Sequence, residues 1–389
     1  MRTVFLDSNS AMPVRDEIVE EMSEYHLSQF GNPQSIHSMG ANPKKALNRA
    51  RNEVASLINT KPGEIFFTSG ATESINLALK GVMSSLEGRG KLAVSAVDHQ
   101  SVFGVARSLE KLGHELVVLP VDSYGKIDLS ESEKIIPGAD IVSIPSASFE
   151  VGTLQDVGTL VGIARDNDAL VHLDLVPSAF QMPFDSKEIP VDLVSLSSNS
   201  LLGPKGVGAL YKKEGVNIGN LIDGGGHENG LRSGSSNIPG IVGMGAAARI
   251  AKERMEEESK RMSRLRDHLI QELLRIDYSY LNGHPADRLP NNANIGFDYI
   301  EGESMLMMLD MQGISASSGS ACTSHNLQPS PTLTAMGLPP EKAHGSLQFV
   351  LHPYISEEDI IHVTEVMPDI VSSLREMSPL WKGGGVNSG

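Results

Sequence analysis

Apolar positions in this chain switch between two spacings: short solid runs, and a repeat every three to four residues. The switching predicts strands separated by helices. Pro13 to Gln29 and Asn42 to Asn59 carry the helical repeat. Ile65–Thr68 is a short apolar run leading into Ser69-Gly70-Ala71-Thr72, and a helix begins near Thr72 with Glu73 in its first turn. Further strands are predicted at Lys91–Ala96, Glu115–Pro120, Ala139–Ile144, Leu170–Asp174, Leu193–Ser197 and Gly208–Lys212. Connectors, several of them helical, separate the first four of these strands, and a proline-containing connector leads on to Leu193–Ser197. The turn Gly203-Pro204-Lys205-Gly206 joins the last two strands in the manner of a hairpin. This order predicts a mostly parallel sheet with helices on both faces. A charged helical pattern runs from Ile238 to about Ile276, its Lys252–Arg261 stretch read as a solvated face with i,i+4 pairs. The texture then changes to a strand near Asn294–Phe297, a helix near Glu303–Gln312, a strand near Gln348–Leu351 and a final helix from Glu357. The expected organisation is a large domain over residues 14–255, a small α+β domain from 1–13 and 256–381, and a flexible Gly-rich tail at 382–389.

Composition narrows the function classes. With 40% hydrophobic and 21% charged residues among 389, the chain can build a large core. A formal net charge of −16 argues against nucleic-acid binding and against anionic membranes, which both need clustered Lys and Arg. No apolar segment reaches the length of a membrane span. The chain holds one cysteine, Cys322, so no intrachain disulfide forms. The N-terminus lacks the apolar run of a signal peptide, and a cytoplasmic location is expected.

Seven motifs follow one another along the chain. They are FGNPQSIHSMG from Phe30, FTSGATESINLAL from Phe67, VDHQSV from Val97, GGGHENGLRSGSSNIPGIVGMG from Gly224, RLPNNANIGF from Arg288, IEGES from Ile300 and SSGSACTS from Ser317. In this order, over about Leu6 to Glu365, they resemble the NifS/IscS cysteine desulfurases of the class V aminotransferase fold. The chain is similar in particular to archaeal-type homologues that lack the pyridoxal-phosphate (PLP) lysine. The resemblance implies a fold-type-I PLP-dependent transferase. Such a fold has a mostly parallel seven-stranded sheet, helices on both its faces, and a smaller α+β domain.

Carried over residue by residue, part of a PLP pocket is retained. Ala71 and Thr72 open a helix behind a glycine turn, a place suited to a phosphate; Thr72 reads equally well as an ordinary N-cap. His99 matches the histidine that stacks on the cofactor ring, and Asp174 the partner of the pyridinium nitrogen. Ser197 and Ser235 match phosphate-binding hydroxyls, Ser235 reaching in from the second subunit of a homodimer. Other positions depart from the pattern. Phe149 replaces an asparagine, Pro177 a glutamine that bonds the phenolic oxygen, Asn199 a histidine, and Gln348 the arginine that holds a substrate carboxylate. Most consequentially, Ser200 stands where the Schiff-base lysine belongs. A serine hydroxyl cannot form an imine with an aldehyde, and the base that moves the Cα proton is lost with the lysine. Lys205 belongs to the Gly-Pro-Lys-Gly turn, which the family has in addition to its lysine.

The residues retained still allow noncovalent PLP. Cys322 lies in what the resemblance implies is the family's mobile loop, where the thiolate carries sulfur as a persulfide. It is read as a persulfide carrier or as one ligand of an iron–sulfur cluster. Such a cluster needs four ligands and would be shared with a partner, an IscU-type scaffold protein. His325 and His344 form no recognisable metal spacing with it. Three readings stay open: a sulfur-transfer or cluster-assembly protein without Schiff-base catalysis, an active desulfurase using noncovalent PLP, and a structural pseudoenzyme subunit.

Overall fold

The computed structural model describes residues 2–319 and 329–381. Its centre is a seven-stranded sheet. From one edge to the other the strands are Ile65–Thr68, Gly208–Lys212, Leu193–Ser197, Leu170–Asp174, Ile141–Pro145, Lys91–Ser95 and Glu115–Leu119. The last five of these pair in parallel, while Gly208–Lys212 runs antiparallel to both its neighbours. The Gly203–Gly206 turn therefore makes the hairpin read from the sequence. Ile141–Pro145 and Leu193–Ser197 are buried at nearly every position, because helices cover both faces of a parallel sheet and leave no wet side. The fold class inferred from the motifs is the one observed.

Helix boundaries differ in instructive ways. The first helix spans Asp16–Leu27, inside the predicted Pro13–Gln29. The second starts at Ser38, four residues ahead of the expected Asn42, and runs to Leu57 with Pro43 inside it. Gly40 and Pro43 read as breakers in sequence, yet both are buried, and packing overrides propensity there. Most of this helix packs on the long helix Ile238–Leu273.

A three-stranded antiparallel sheet, ordered Ser346–Val350, Asn292–Phe297, Ser279–Asn282, carries a second core with Phe297, Phe349, Leu347 and Ile295. Ser279–Asn282 was not foreseen: it is mostly half-buried and its short pattern reads as neither period. The chain's start returns to this region. Val4–Phe5 pairs in parallel with Ile314–Ser315, and Asp7 bridges to Val350. The long helix spans both cores, giving Ile241 and Met262 to the main one and Leu269 and Leu273 to the other. Among the described residues no helix is long and apolar enough to cross a membrane.

Candidate active site

The C-terminal ends of the parallel strands open onto a cavity of about 440 Å³. Ligands collect at this edge in open α/β sheets. Thr72, Ala71, His99, Asp174, Ser197 and Ser200 all line it, though they lie as far apart in sequence as Ala71 and Ser200. Ser235 does not line it; it is exposed on the segment leading into the long helix. Cys322 and His325 lie outside the described residues. His344 ends the short helix Pro340–His344, and no metal-holding group of His, Cys, Asp and Glu occurs among the described residues.

One end of the cavity is the start of the Ala71–Ser84 helix. Its N-cap is Gly70, with φ 155°, a backbone state that favours glycine. Thr72 is therefore not the N-cap, which corrects one of its two sequence readings. Thr72 sits in the first turn, exposed, where helix N–H groups have no intrahelical partner. Glu73 fixes this turn: its carboxylate accepts from Ser69 N–H at 2.8 Å and pairs with Arg232 at 2.8 Å. Arg232 lies in the GLRSGSSN motif, which is pinned again through Glu228. Glu228 accepts two bonds from Arg51, at 2.7 and 2.8 Å, and one from Phe67 N–H at 2.9 Å. Neither anchor was singled out from sequence. A Glu in a first helical turn and an acid–arginine motif were visible, but their pairing over 159 positions was not.

At the other end, Asp174 closes its strand, 3% exposed. It accepts one hydrogen bond from Val176 N–H, at 3.1 Å, and makes no ion pair among the described residues. Burial raises its carboxyl to about 6. A buried acid with no cation beside it suits a protonated ring nitrogen. His99 stands between these ends. Its Nδ1 accepts from Ser101 N–H at 3.2 Å and contacts Ser101 Oγ at 2.7 Å, so the proton resides on Nε2. Burial lowers its pKa and keeps the ring neutral. Phe149 meets it edge-on, with ring centroids 5.0 Å apart.

Ser200 faces this same space, and its hydroxyl donates to Ser197 O at 2.9 Å. The turn that carries it ends at Leu202, in the left-handed region at φ 60° and fixed by Gly203 N–H to Ser198 O at 2.9 Å. Lys205 lies outside the cavity lining and donates to Met12 O at 3.2 Å. Among the described residues no lysine lines the cavity. Asn199 Oδ1 accepts from Met12 N–H at 3.2 Å and so ties the N-terminal segment to the turn. Gln348 is 5% exposed and donates to Phe149 O at 2.8 Å and Glu150 O at 2.9 Å.

These residues suit PLP held without a covalent link. Asp174 would take the ring nitrogen, His99 the ring face, and the helix start with Thr72 and Ser197 the phosphate. PLP supplies an electron sink when bound; among the described residues no lysine of the lining stands ready to anchor it. Replacing Ser200 by lysine is expected to restore an anchor. PLP should then survive dialysis about 100-fold longer than in the wild type and be fixed by borohydride, read by absorbance and by mass. Equal loss from both proteins would mean that this cavity does not seat the cofactor.

Residues 4–363 match the aminotransferase class-V family model. The chain belongs to that family. Within it, the relatives are of the NifS/IscS type. The chain is 46% identical over 380 residues to cysteine desulfurase IscS 1 of Archaeoglobus fulgidus, covering 97% of this chain and 99% of the relative. It is 44% identical over 381 residues to cysteine desulfurase IscS of Methanosarcina thermophila, covering 97% and 94%. Among solved structures, a NifS-like protein superposes with a TM-score of 0.91 at 35% identity, covering 96% of this chain and all of that one.

Proposed function

We propose that this chain is a sulfur-transfer protein of iron–sulfur cluster assembly that works without a PLP–lysine link. It presents Cys322 to a scaffold partner as a persulfide carrier or a cluster ligand. The observation that carries this reading is Ser200, turned back onto Ser197 O in a cavity that no lysine lines among the described residues. The relatives' names support sulfur handling as the setting. Asp174, His99 and Thr72 support PLP as a noncovalent guest. A homodimer, with Ser235 completing the neighbouring pocket, is part of the proposal; Ser235 is exposed and free to reach a second copy.

A second reading draws directly on the relatives named cysteine desulfurases. In it the chain releases sulfur from L-cysteine with noncovalent PLP. The two separate in one experiment: titrate PLP into the purified protein, record the absorption spectrum, and measure sulfide release from L-cysteine. The first reading expects no sulfide from cysteine alone. It also expects sulfur delivered from a persulfide donor to a scaffold to fall at least about tenfold in Cys322→Ser. Cysteine-dependent sulfide that rises with the PLP band would establish the second reading instead. Unchanged delivery by Cys322→Ser would remove the thiol from either.

A further inference from the structure

The lining of the cavity of about 440 Å³ holds two carboxyl groups, Glu73 and Asp174, and among the described residues no lysine or arginine. Asp174 belongs to the end matched to a ring nitrogen. Glu73 stands at the other end, in the first turn of the Ala71–Ser84 helix, next to Thr72. A carboxylate there draws on the same positive helix end as a ligand phosphate and repels it. We infer that Arg232 cancels this charge, and that the Glu73–Arg232 pair thereby sets the affinity of the cavity for phosphate-bearing ligands.

The geometry separates two jobs of Glu73. Its Oε2 accepts from Ser69 N–H at 2.8 Å and holds the turn. Its Oε1 accepts from Arg232 Nε at 2.8 Å, with Arg232 Nη2 3.3 Å from Oε2. The bond from Ser69 needs an oxygen but no charge, so glutamine keeps it. The bonds from Arg232 fit a guanidinium fork to a carboxylate. The Glu73 and Arg232 side chains are 11% and 22% exposed, so water and salt screen the pair weakly. Burial raises the Glu73 carboxyl, but the bonds from Arg232 and Ser69 outweigh it and leave it below the usual carboxylate range, charged at neutral pH. Arg232 does not line the cavity, so it acts on a ligand there through Glu73. The neighbouring pair Arg51–Glu228 also lies outside the lining, and Glu228 takes Phe67 N–H, which ties it to the preceding strand rather than to the helix start. A purely structural pair loses ligand binding when either member is replaced. A charge-cancelling pair responds with opposite signs: loss of Arg232 bares a negative charge beside the phosphate, and loss of the Glu73 charge leaves a positive one.

This deepens the functional reading and rests on its noncovalent PLP guest. The test is calorimetric titration of the full-length, PLP-free protein with pyridoxine 5′-phosphate and with pyridoxine. Neither has an aldehyde, so neither reacts with surface lysines, and the two differ by the phosphate alone. Arg232→Gln is expected to weaken the phosphate ester at least about tenfold and pyridoxine less than about twofold. Glu73→Gln should bind the ester as tightly as the wild type or more tightly, and the double variant should return to within about threefold of the wild type. Arg232→Lys keeps the charge and should lose less than Arg232→Gln. If Arg232→Gln does not fold, or pyridoxine gives no heat, Glu73→Gln decides alone. A folded Glu73→Gln protein that binds the ester more weakly, or an equal loss of both ligands in Arg232→Gln, would overturn the inference and leave PLP as a guest. No binding of the ester by the wild type would overturn both. Neither result involves Cys322, so the sulfur-transfer reading stands or falls separately.

Discussion

Asp174→Asn is expected to make the PLP-free protein more stable by about 3 kcal/mol at pH 7 while weakening PLP binding at least about tenfold. The sign follows from burial. The folded state raises the Asp174 carboxyl to about 6, from 3.8. Above pH 4 the unfolded chain has released this proton and the folded chain still holds it. The contribution of Asp174 is thus intact below about pH 4 and is lost as pH rises to about 6. Asparagine removes the loss and still accepts from Val176 N–H, the one bond the carboxylate makes there. Urea unfolding should show the gap between variant and wild type at pH 7 and its closure toward pH 4. A variant less stable than wild type at pH 7, or one whose PLP absorption is unchanged, would show that Asp174 already has a partner. A residue that destabilises the empty protein and is relieved by a cation is a binding residue rather than a structural one.

The second large effect belongs to His172, two residues earlier on the same strand. It is fully buried, its Nδ1 3.0 Å from Ser143 Oγ and its Nε2 2.9 Å from Ser195 Oγ. With only hydroxyls bonded to the ring, burial drives its pKa down to about 3. Here the unfolded chain takes up a proton that the folded one refuses. Its contribution is complete above the ordinary histidine value of 6.5 and disappears as pH falls toward 3. Relative to His172→Asn, the wild type should therefore lose about 2 kcal/mol between pH 7.5 and pH 5. Unfolding free energies of both proteins across that range measure it, and parallel curves would show that the imidazole is solvated. The same strand thus holds a group that resists protonation and, at its open end, an acid that resists ionisation. Both behaviours come from desolvation, with opposite consequences for pH.

Much of the architecture was legible because it rests on local pattern. Leu170–Asp174 and Leu193–Ser197 matched their strands residue for residue, their leucines and valines marking them although His172, Asp174, Ser195 and Ser197 interrupt the runs. The start of the Ser38–Leu57 helix and the Ser279–Asn282 strand were less legible. Pro43 is tolerated there by packing, and Ser279–Asn282 is a short strand whose partner, Asn292–Phe297, supplies the order. In the site, Thr72, His99, Asp174, Ser197 and Ser200 came together as the motifs implied, and Ser235 stands apart in the single chain.

What the chain's residues decide alone is chemical identity and element order. Serine at position 200 rules out an imine whatever surrounds it, because no fold gives a hydroxyl the nucleophilic nitrogen that the link requires. Tertiary structure alone decides which groups are deprived of water and which face one another. Asp98 and Glu150 are unremarked in the linear pattern, and Gln348 is marked there only as the replacement of an arginine. They converge on one cavity because the strand Ser346–Val350 carries Gln348 to the carbonyls of Phe149 and Glu150, across 199 and 198 positions of sequence. The raised pKa values of Asp98 and Glu150 are consequences of burial, a property of neighbours in space that spacing along the chain does not encode.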